Sequence, residues 1–483
     1  MWHKPSKRFL SMLTMLVISG CITGPRGPDI GEIYNILAQS EDPYRNPVIL
    51  IPGTMGSRLL DQDEDEVIWG VFGPSNSPNT PSYARQIALP MARNKSLAEL
   101  QDNVVPDGAL DRVKFSIIGL EIERKAYFYL LSTLGIAGYR DERLGVLNAI
   151  DYGNLHYTCF QFSYDWRRDL VESARLLHKF ILAKRAYVQR ETEKKYGIVD
   201  LDVHFDIVAH SMGGLVARYY LRYGTAELPA DGSLPELTWE GAKYVDNLVM
   251  VATPNAGSTN TLINLANGFK FGPFLARYDS ALIGTHPSAY QLLPRSRHGV
   301  LVDEETNLPL TADIFNPNLW VRMNWGLADP THDSMLSTLL PEVSDPNERR
   351  RIALDHLQKS LHRARQFTAA LDVPAAPPRG VALFLMAGDA KPTDAVASVN
   401  QQTGKIRVRV KRAGDGRVLR SSALMDERTA DNRQSRLISP IAWTSVQFLY
   451  EDHLGLTKDP VFADNLLYYL WERPVESRDE PPL

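Results

Sequence analysis

The stretch that decides the fold of this chain is Val208-Ala209-His210-Ser211-Met212-Gly213-Gly214. An apolar run ends at Ala209, and a helical pattern begins directly after the glycines. Small residues two positions before and two positions after Ser211 permit a tight turn from strand to helix, which exposes the serine hydroxyl. Ala209 replaces the first glycine of the common G-x-S-x-G pattern, and its methyl group still fits such a turn. We interpret Ser211 as a nucleophile rather than as the cap of a glycine-rich helix.

The rest of the chain supplies the strands and helices that such a turn requires. Five apolar runs are predicted strands: residues 48–51, 157–162, 203–209, 247–252 and 381–387. Their nearly continuous hydrophobicity indicates strands that are covered on both faces. A helical pattern with one apolar face lies between the second and third runs and stops at Gly197. This alternation predicts an α/β fold with a mainly parallel central sheet and helices on both faces.

Two long intervals, residues 61–111 and 255–380, interrupt the alternation. The first begins with an acidic run that is more typical of a solvated loop than of a metal site. The second contains a basic amphipathic helix from Pro346, which we expect to pack on its neighbours rather than on anionic lipid. Long loops inside a compact domain are usually functional. We predict a lid at 61–111 and a cap at 255–380, placed over the carboxyl edge of the sheet.

Composition excludes several classes of protein. The 483 residues are 44% hydrophobic and 23% charged, which indicates a large globular core rather than a disordered, collagen-like or polytopic membrane chain. The 53 basic and 57 acidic residues give a net charge of −4, without the basic excess that nucleic-acid binding requires. The two cysteines are too few for a disulfide scaffold.

The N-terminus has the three parts of a secretory signal: basic residues, an apolar run at 9–18 and the small residues before Cys21. The apolar run is shorter than the ~20 residues that span a bilayer. Ile18-Ser19-Gly20-Cys21 resembles the bacterial lipobox, so we predict removal of residues 1–20 and lipidation of Cys21. The mature chain would then have 50 basic and 57 acidic residues, a net charge of −7.

These features predict the domain organisation and the location. Residues 21–45 are expected to be a lipidated tether, 46–470 the catalytic domain and 471–483 a C-terminal tail. The lipid would attach the protein to the bacterial cell envelope. Ile22, a non-acidic residue after the cysteine, favours the outer membrane by analogy with other lipoproteins.

A nucleophilic serine needs a base to take its proton and a carboxylate to orient that base. In this type of fold the chain order is serine, acid, histidine. Asp389 follows a strongly apolar strand, and Asp415 lies in a glycine-rich turn. His453 is the single histidine after either acid, so chain order assigns it as the base. The residues alone leave the two acids nearly even.

The reaction also needs backbone N–H groups directed at the oxyanion of the tetrahedral intermediate. The residue after the nucleophile, Met212, supplies one donor in this fold, and a loop after an earlier strand supplies the other. Ile51-Pro52-Gly53-Thr54 forms such a loop, in which glycine lets the backbone approach a ligand closely. The amide of Thr54 is the candidate for the second donor.

Six segments together carry a family resemblance. They are Ile51-Pro52-Gly53-Thr54-Met55-Gly56-Ser57, Tyr164-Asp165-Trp166-Arg167, Ala209-His210-Ser211-Met212-Gly213-Gly214, Ala252-Thr253-Pro254-Asn255-Ala256-Gly257-Ser258, Pro287-Ser288-Ala289-Tyr290-Gln291-Leu292-Leu293-Pro294 and Gly414-Asp415-Gly416-Arg417-Val418. In this order they resemble the lecithin:cholesterol acyltransferase-like family of α/β-hydrolases. The resemblance implies that Asp415 is the triad acid. Arg417 stands where that family has threonine, which keeps Asp389 as the second candidate. The resemblance also implies a tryptophan near the acyl site, for which Trp69 is the candidate.

The sequence therefore predicts a serine-dependent O-acyltransferase or phospholipase with the α/β-hydrolase fold. It would take an acyl chain from a glycerolipid ester onto Ser211 and pass it to an alcohol or to water. We expect no metal or organic cofactor, and the expected partners are the lipid substrate and a membrane surface. The alternative is a carboxylesterase or other serine hydrolase that acts on soluble esters.

Overall fold

A computed structural model describes residues 28–72, 76–110, 112–117, 120–125, 127–270, 276–428 and 435–474. The predicted signal peptide, Cys21 and the chain after residue 474 lie outside the described residues. The strands are β1 (Val48–Ile51), β2 (Ser57–Asp61), β3 (Val67–Trp69), β4 (Val71–Phe72), β5 (Val104–Ala109), β6 (Arg112–Ile117), β7 (Leu120–Lys125), β8 (Cys159–Gln161), β9 (Phe205–His210), β10 (Val245–Val251), β11 (Phe269–Lys270), β12 (Arg277–Tyr278), β13 (Leu301–Asp303), β14 (Ala382–Gly388), β15 (Lys391–Val399), β16 (Ile406–Gly414) and β17 (Ser445–Leu449).

The α-helices are distributed along the whole described chain. They are α1 (Ile30–Gln39), α2 (Pro81–Ile87), α3 (Phe128–Ile136), α4 (Glu142–Val146), α5 (Leu170–Tyr196), α6 (Met212–Tyr223), α7 (Thr259–Asn267), α8 (Ser280–Ile283), α9 (Pro287–Gln291), α10 (Pro317–Met323), α11 (Asp333–Leu339), α12 (Pro346–Asp372), α13 (Arg420–Leu424) and α14 (Pro460–Leu467). A left-handed Gly197 ends α5, as the sequence predicts, and the structure shows that Asp169 caps its start.

The central sheet has six strands in the order β17-β14-β10-β9-β1-β8, and every pairing is parallel. Alternate side chains of its strands enter two different cores. Ile49 and Ile207 face the core that contains α5 and α6, whereas Leu50 and Val208 face the core that contains α3 and α14. Because both faces are covered, the inner strands are mostly apolar, and the buried polar residues Asp206 and Asn247 hydrogen-bond to each other at 2.7 Å. The predicted α/β-hydrolase fold is confirmed.

The edge strand β17 is absent from the predicted strands. It alternates polar and apolar residues, with Ser445 and Gln447 among them, and four of its five residues are only half-buried. An edge strand with one covered face lacks the continuous apolar run by which the other strands were predicted. It nevertheless matters for the site, because the loop after it contains His453.

The two long intervals contact each other. The first contains helix α2 and the strands β3 and β5, which pair with β2 in the order β3-β2-β5. The second contains helices α7 to α12. The backbone N–H of Leu89 donates to Thr285 Oγ1 at 3.1 Å, and Lys359 Nζ donates to the Ala92 carbonyl at 2.9 Å. Their placement as lid and cap over the substrate remains a prediction.

Helix α12 buries its apolar face, with Leu357 and Leu361 fully enclosed. Its basic side chains are bound within the protein: Arg349 pairs with Asp333, and Arg363 pairs with Asp169. The expected packing on neighbouring elements is confirmed for this helix.

Part of the stretch predicted as a tether differs from an extended linker. Residues 30–39 form α1, which is capped by Asp29 and buries Ile30 and Tyr34. The hydroxyl of Tyr34 donates to the carbonyl of Asp464 at 3.2 Å, so the helix packs beside α14. The glycines and prolines before residue 30 obscured the apolar face of this short helix. Within the described residues, no helix combines the length and apolar character needed to cross a bilayer.

Candidate active site

Ser211 lies at the turn between β9 and α6, with φ 53° and ψ −124°. This positive φ is unusual for a residue with a side chain. The Ser211 amide donates to the Val251 carbonyl at 2.7 Å, which ties the turn to β10. A Cβ atom at Gly213 would lie only 2.5 Å from the Pro52 carbonyl oxygen, so only glycine fits there.

The structure brings Ser211, His453 and Asp415 into one line of hydrogen bonds. His453 Nε2 lies 3.1 Å from Ser211 Oγ, and His453 Nδ1 lies 2.8 Å from Asp415 Oδ2. A carboxylate can only accept a hydrogen bond, so the proton of the neutral imidazole is on Nδ1. Nε2 is then unprotonated and can accept from the serine hydroxyl. The Asp415 side chain is 1% exposed and that of His453 is 16% exposed, so the line runs from the interior towards solvent.

The Asp415 carboxylate is held by its own turn. Its Oδ1 accepts hydrogen bonds from the amides of Arg417 at 2.8 Å and Val418 at 2.6 Å. Burial raises the pKa of Asp415, but His453 and the two amides outweigh burial, and the pKa stays below its usual value. The turn uses the backbone N–H of Arg417, and this explains how arginine can replace the threonine of the resembled family.

Asp389, the second candidate for the acid, is placed in a different pair. Its Oδ2 accepts from Arg420 at 2.6 Å, and the Arg420 guanidinium lies 3.4 Å from the ring centre of Phe448. The backbone N–H of Asp389 bonds the Leu449 carbonyl at 3.1 Å. This aspartate therefore joins β14 to the end of β17, while Asp415 contacts the histidine.

The loop after β1 lies against the serine turn. A Cβ atom at Gly53 would lie 2.7 Å from Ser211 Cβ and 3.1 Å from the His210 carbonyl oxygen. The hydroxyl of Thr54 donates to Met212 Sδ at 3.2 Å, so the two predicted oxyanion donors are neighbours. Among the hydrogen bonds formed within the described part of the chain, neither the Thr54 amide nor the Met212 amide is a donor. Both are available to a ligand.

Trp69, the candidate for a tryptophan near the acyl site, contacts this loop. Its Nε1 donates to the Met55 carbonyl at 2.9 Å, and its ring packs edge-on against Trp166 with ring centres 5.0 Å apart. The side chain is buried. It therefore joins the first long interval to the segment that follows Thr54.

Two residues of the site were not assigned a role from the sequence, Tyr127 and His210. Tyr127 Oη lies 3.0 Å from His210 Nδ1, and His210 Nε2 lies 3.2 Å from the His453 carbonyl oxygen. Nothing in the sequence marks Tyr127, which lies in an aromatic run at the start of α3. His210 is adjacent to the nucleophile, but its partners are distant in sequence.

Comparison with known families matches residues 144–325 to the lecithin:cholesterol acyltransferase family. The predicted resemblance to this family is thereby confirmed. The matched segment includes Ser211 and ends before Asp415 and His453, so the placement of those two residues rests on the geometry above. The Arabidopsis thaliana protein lecithin-cholesterol acyltransferase-like 4 is 25% identical over 270 residues, which is 52% of this chain and 43% of that protein. The chain thus matches less than half the length of this relative.

A solved structure agrees with the fold. A chain of the Tle4–Tli4 complex covers 88% of this chain and 98% of its own length, with 15% identity and a TM-score of 0.52. Lipase 1 from Pelosinus fermentans covers 88% of this chain at 15% identity with a TM-score of 0.30, a likeness too weak to argue from. The family match and the site together support an ester-acting hydrolase or acyltransferase.

Proposed function

We propose that this chain, an α/β-hydrolase similar to the lecithin:cholesterol acyltransferase family, is a serine-dependent O-acyltransferase or phospholipase. It takes an acyl chain from a glycerolipid ester onto Ser211 and passes it to an alcohol or to water. The observation that carries the proposal is the line of hydrogen bonds from Ser211 Oγ through His453 to Asp415, at 3.1 and 2.8 Å. Each residue lies within hydrogen-bond reach of the group on which it would act.

In the acylation step, Ser211 Oγ attacks the carbonyl carbon of the ester and its proton passes to His453 Nε2. Asp415 stabilises the imidazolium that forms. The amides of Thr54 and Met212 donate to the oxyanion of the tetrahedral intermediate. When the ester C–O bond breaks, His453 returns its proton to the leaving alcohol, and the acyl chain remains on Ser211.

The acyl group leaves by the same steps in reverse. His453 takes a proton from an alcohol or a water molecule, whose oxygen attacks the acyl carbonyl. An alcohol gives a new ester, and water gives a free fatty acid. Which acceptor reacts depends on how well water is excluded from the acyl-enzyme.

Mass-spectrometric product analysis with phospholipid vesicles tests the proposal, with and without a long-chain alcohol or a sterol. New esters that form only with the acceptor would identify an acyltransferase, and free fatty acid alone would identify a phospholipase. Ser211→Ala is the control, and we expect it to lower turnover by orders of magnitude without unfolding the protein. If no lipid gives a product that depends on Ser211, the proposal fails in favour of a hydrolase of soluble esters.

We also propose that the protein acts at the bacterial cell envelope, attached to the outer membrane through a lipid on Cys21. The basic, apolar and small-residue parts of the N-terminus support this location. Mass spectrometry of the N-terminal peptide from a bacterial host would detect the lipid. Cys21→Ser should release the protein from the membrane fraction, and an unmodified wild-type Cys21 would refute the anchor.

A further inference from the structure

A chain of three hydrogen bonds runs beneath the candidate active site. The Gly53 amide donates to Tyr127 Oη at 2.7 Å, Tyr127 Oη lies 3.0 Å from His210 Nδ1, and His210 Nε2 lies 3.2 Å from the His453 carbonyl oxygen. Tyr127 and His210 are each 3% exposed, so water does not compete for these bonds. The four residues come from four separate segments of the chain.

The two ends of the chain fix the direction of every proton in it. The Gly53 amide can only donate, so Tyr127 Oη accepts there. The His453 carbonyl can only accept, so His210 carries its proton on Nε2. A neutral imidazole then accepts at Nδ1, and the Tyr127 hydroxyl donates to it. Burial lowers the pKa of His210 to about 3, so the ring stays neutral beside His453.

Each end of the chain adjoins a group that the proposed function needs. Gly53 precedes Thr54, whose amide is the proposed oxyanion donor. At the other end, both backbone groups of His453 are bound: its carbonyl accepts from His210, and its amide donates to the Asp415 carbonyl at 3.0 Å. The rings of His210 and His453 are also in contact, with centres 4.9 Å apart.

We infer that Tyr127 and His210 are positioning residues, which hold the oxyanion loop and the catalytic histidine in their working arrangement through this chain. The inference rests on the proposed acyl-transfer function of Ser211. Among the described hydrogen bonds, neither side chain bonds to Ser211 Oγ or to a ring nitrogen of His453. They act by fixing the backbone at Gly53 and at His453, which lie on either side of Ser211 in space. A shift of about 1 Å in such groups can reduce a rate about a hundredfold.

Tyr127→Phe tests the inference because it removes only the hydroxyl oxygen. The Gly53 amide then loses its acceptor, and His210 Nδ1 loses its donor. We expect kcat for a soluble chromogenic ester such as p-nitrophenyl butyrate to fall about ten- to a hundredfold, while KM changes less than about threefold. The rate of Ser211 labelling by a fluorophosphonate should fall in parallel.

Tyr139→Phe is the matched control. Tyr139 belongs to the same buried cluster as Tyr127, and its hydroxyl has no hydrogen-bond partner in the described structure. Loss of that hydroxyl should leave kcat unchanged. Equal kcat in the Tyr127→Phe and Tyr139→Phe proteins would overturn the inference.

Substitutions of His210 separate positioning from simple packing. His210→Gln retains a donor and an acceptor, whereas His210→Leu retains neither, so the glutamine variant should keep at least about fivefold more activity per folded molecule. The losses from His210→Leu and Tyr127→Phe should add up to less than their sum in the double variant, because both substitutions remove the bond between Tyr127 and His210. Equal activity of the two His210 variants, or additive losses in the double variant, would refute the inference.

The measurements also separate this inference from the proposed function. Labelling that persists in Ser211→Ala would contradict the role of Ser211 and the proposed function. Labelling that is lost in Ser211→Ala but unaffected by Tyr127→Phe would contradict the positioning role alone. If Tyr127→Phe unfolds, the comparison of the two folded His210 variants decides.

Discussion

Gly53→Ala should disable the enzyme through a single methyl group. The new Cβ would lie 2.7 Å from Ser211 Cβ, whereas non-bonded carbon atoms prefer about 3.5–4.0 Å. The His210 carbonyl oxygen, 3.1 Å away, blocks a second direction. Gly53 does not have a positive φ, so alanine meets a close approach and no backbone strain. The loop must therefore move by about 1 Å, and the Thr54 amide moves with it.

A displacement of that size removes one of the two oxyanion donors from its working position. Loss of one such donor typically costs about 10²–10³ in kcat. We expect kcat to fall about a hundredfold, which corresponds to about 2.7 kcal/mol of transition-state stabilisation. The KM for a small ester should stay within about threefold, because the loop contacts the oxyanion and not the remainder of the substrate.

Steady-state hydrolysis of p-nitrophenyl butyrate, with thermal unfolding as a check on the fold, measures this effect. Gly135→Ala is the matched control, because no heavy atom lies within 4 Å of a Cβ at that helical position. It should leave kcat unchanged and stabilise α3 by roughly 0.5–1 kcal/mol. A folded Gly53→Ala protein with kcat within about threefold of wild type would refute the reasoning.

Three further substitutions test other parts of the structure. Asp415→Asn should lower kcat by about four orders of magnitude, because asparagine favours the wrong tautomer of the histidine. Asp389→Asn should change kcat only a few fold. Similar effects of the two substitutions in steady-state assays would contradict the assignment of the acid. Burial raises the pKa of Asp206 from 3.8 to about 7, so its protonated form is favoured in the folded state and its contribution to stability declines as the pH rises from about 4 to about 7. Asp206→Asn should therefore raise the Tm more at pH 8 than at pH 4. The difference in the free energy of unfolding should be at most about 4 kcal/mol. An equal Tm shift at both pH values would exclude the Asp206 carboxyl as the cause. Arg167 is fully buried and pairs with Asp165 and Asp102 at 2.8 Å each. Arg167→Met should therefore lower the free energy of unfolding by about 3–5 kcal/mol, measured by denaturant unfolding. A loss below about 1 kcal/mol would show that the two carboxylates find other partners.

The central sheet was predictable because its strands obey a local rule. A strand that is covered on both faces must be mostly apolar, and five of the six strands were recognised by nearly continuous apolar runs. The sixth, β17, has one covered face and escaped recognition. The helix α1 escaped for a related reason, since only Ile30 and Tyr34 are buried in its ten residues.

The candidate site was predictable in part. Ser211 follows from a local pattern, because the strand, the tight turn and the helix are adjacent in sequence. His453 follows from chain order, because no other histidine remains after the candidate acids. The two acids could not be separated in this way, since both precede His453 in the chain, and only the family resemblance favoured Asp415 over Asp389.

The sequence by itself therefore determined the fold class, the serine turn and the histidine. The family resemblance favoured Asp415, but only the tertiary structure places it against the histidine and Asp389 against Arg420. Tertiary structure alone joins Gly53 to His210 through Tyr127. The physical reason is the range of the interactions. Hydrophobic periodicity and turn chemistry act between neighbours in sequence, whereas a buried hydrogen bond pairs whichever polar groups the folded chain brings within about 3 Å.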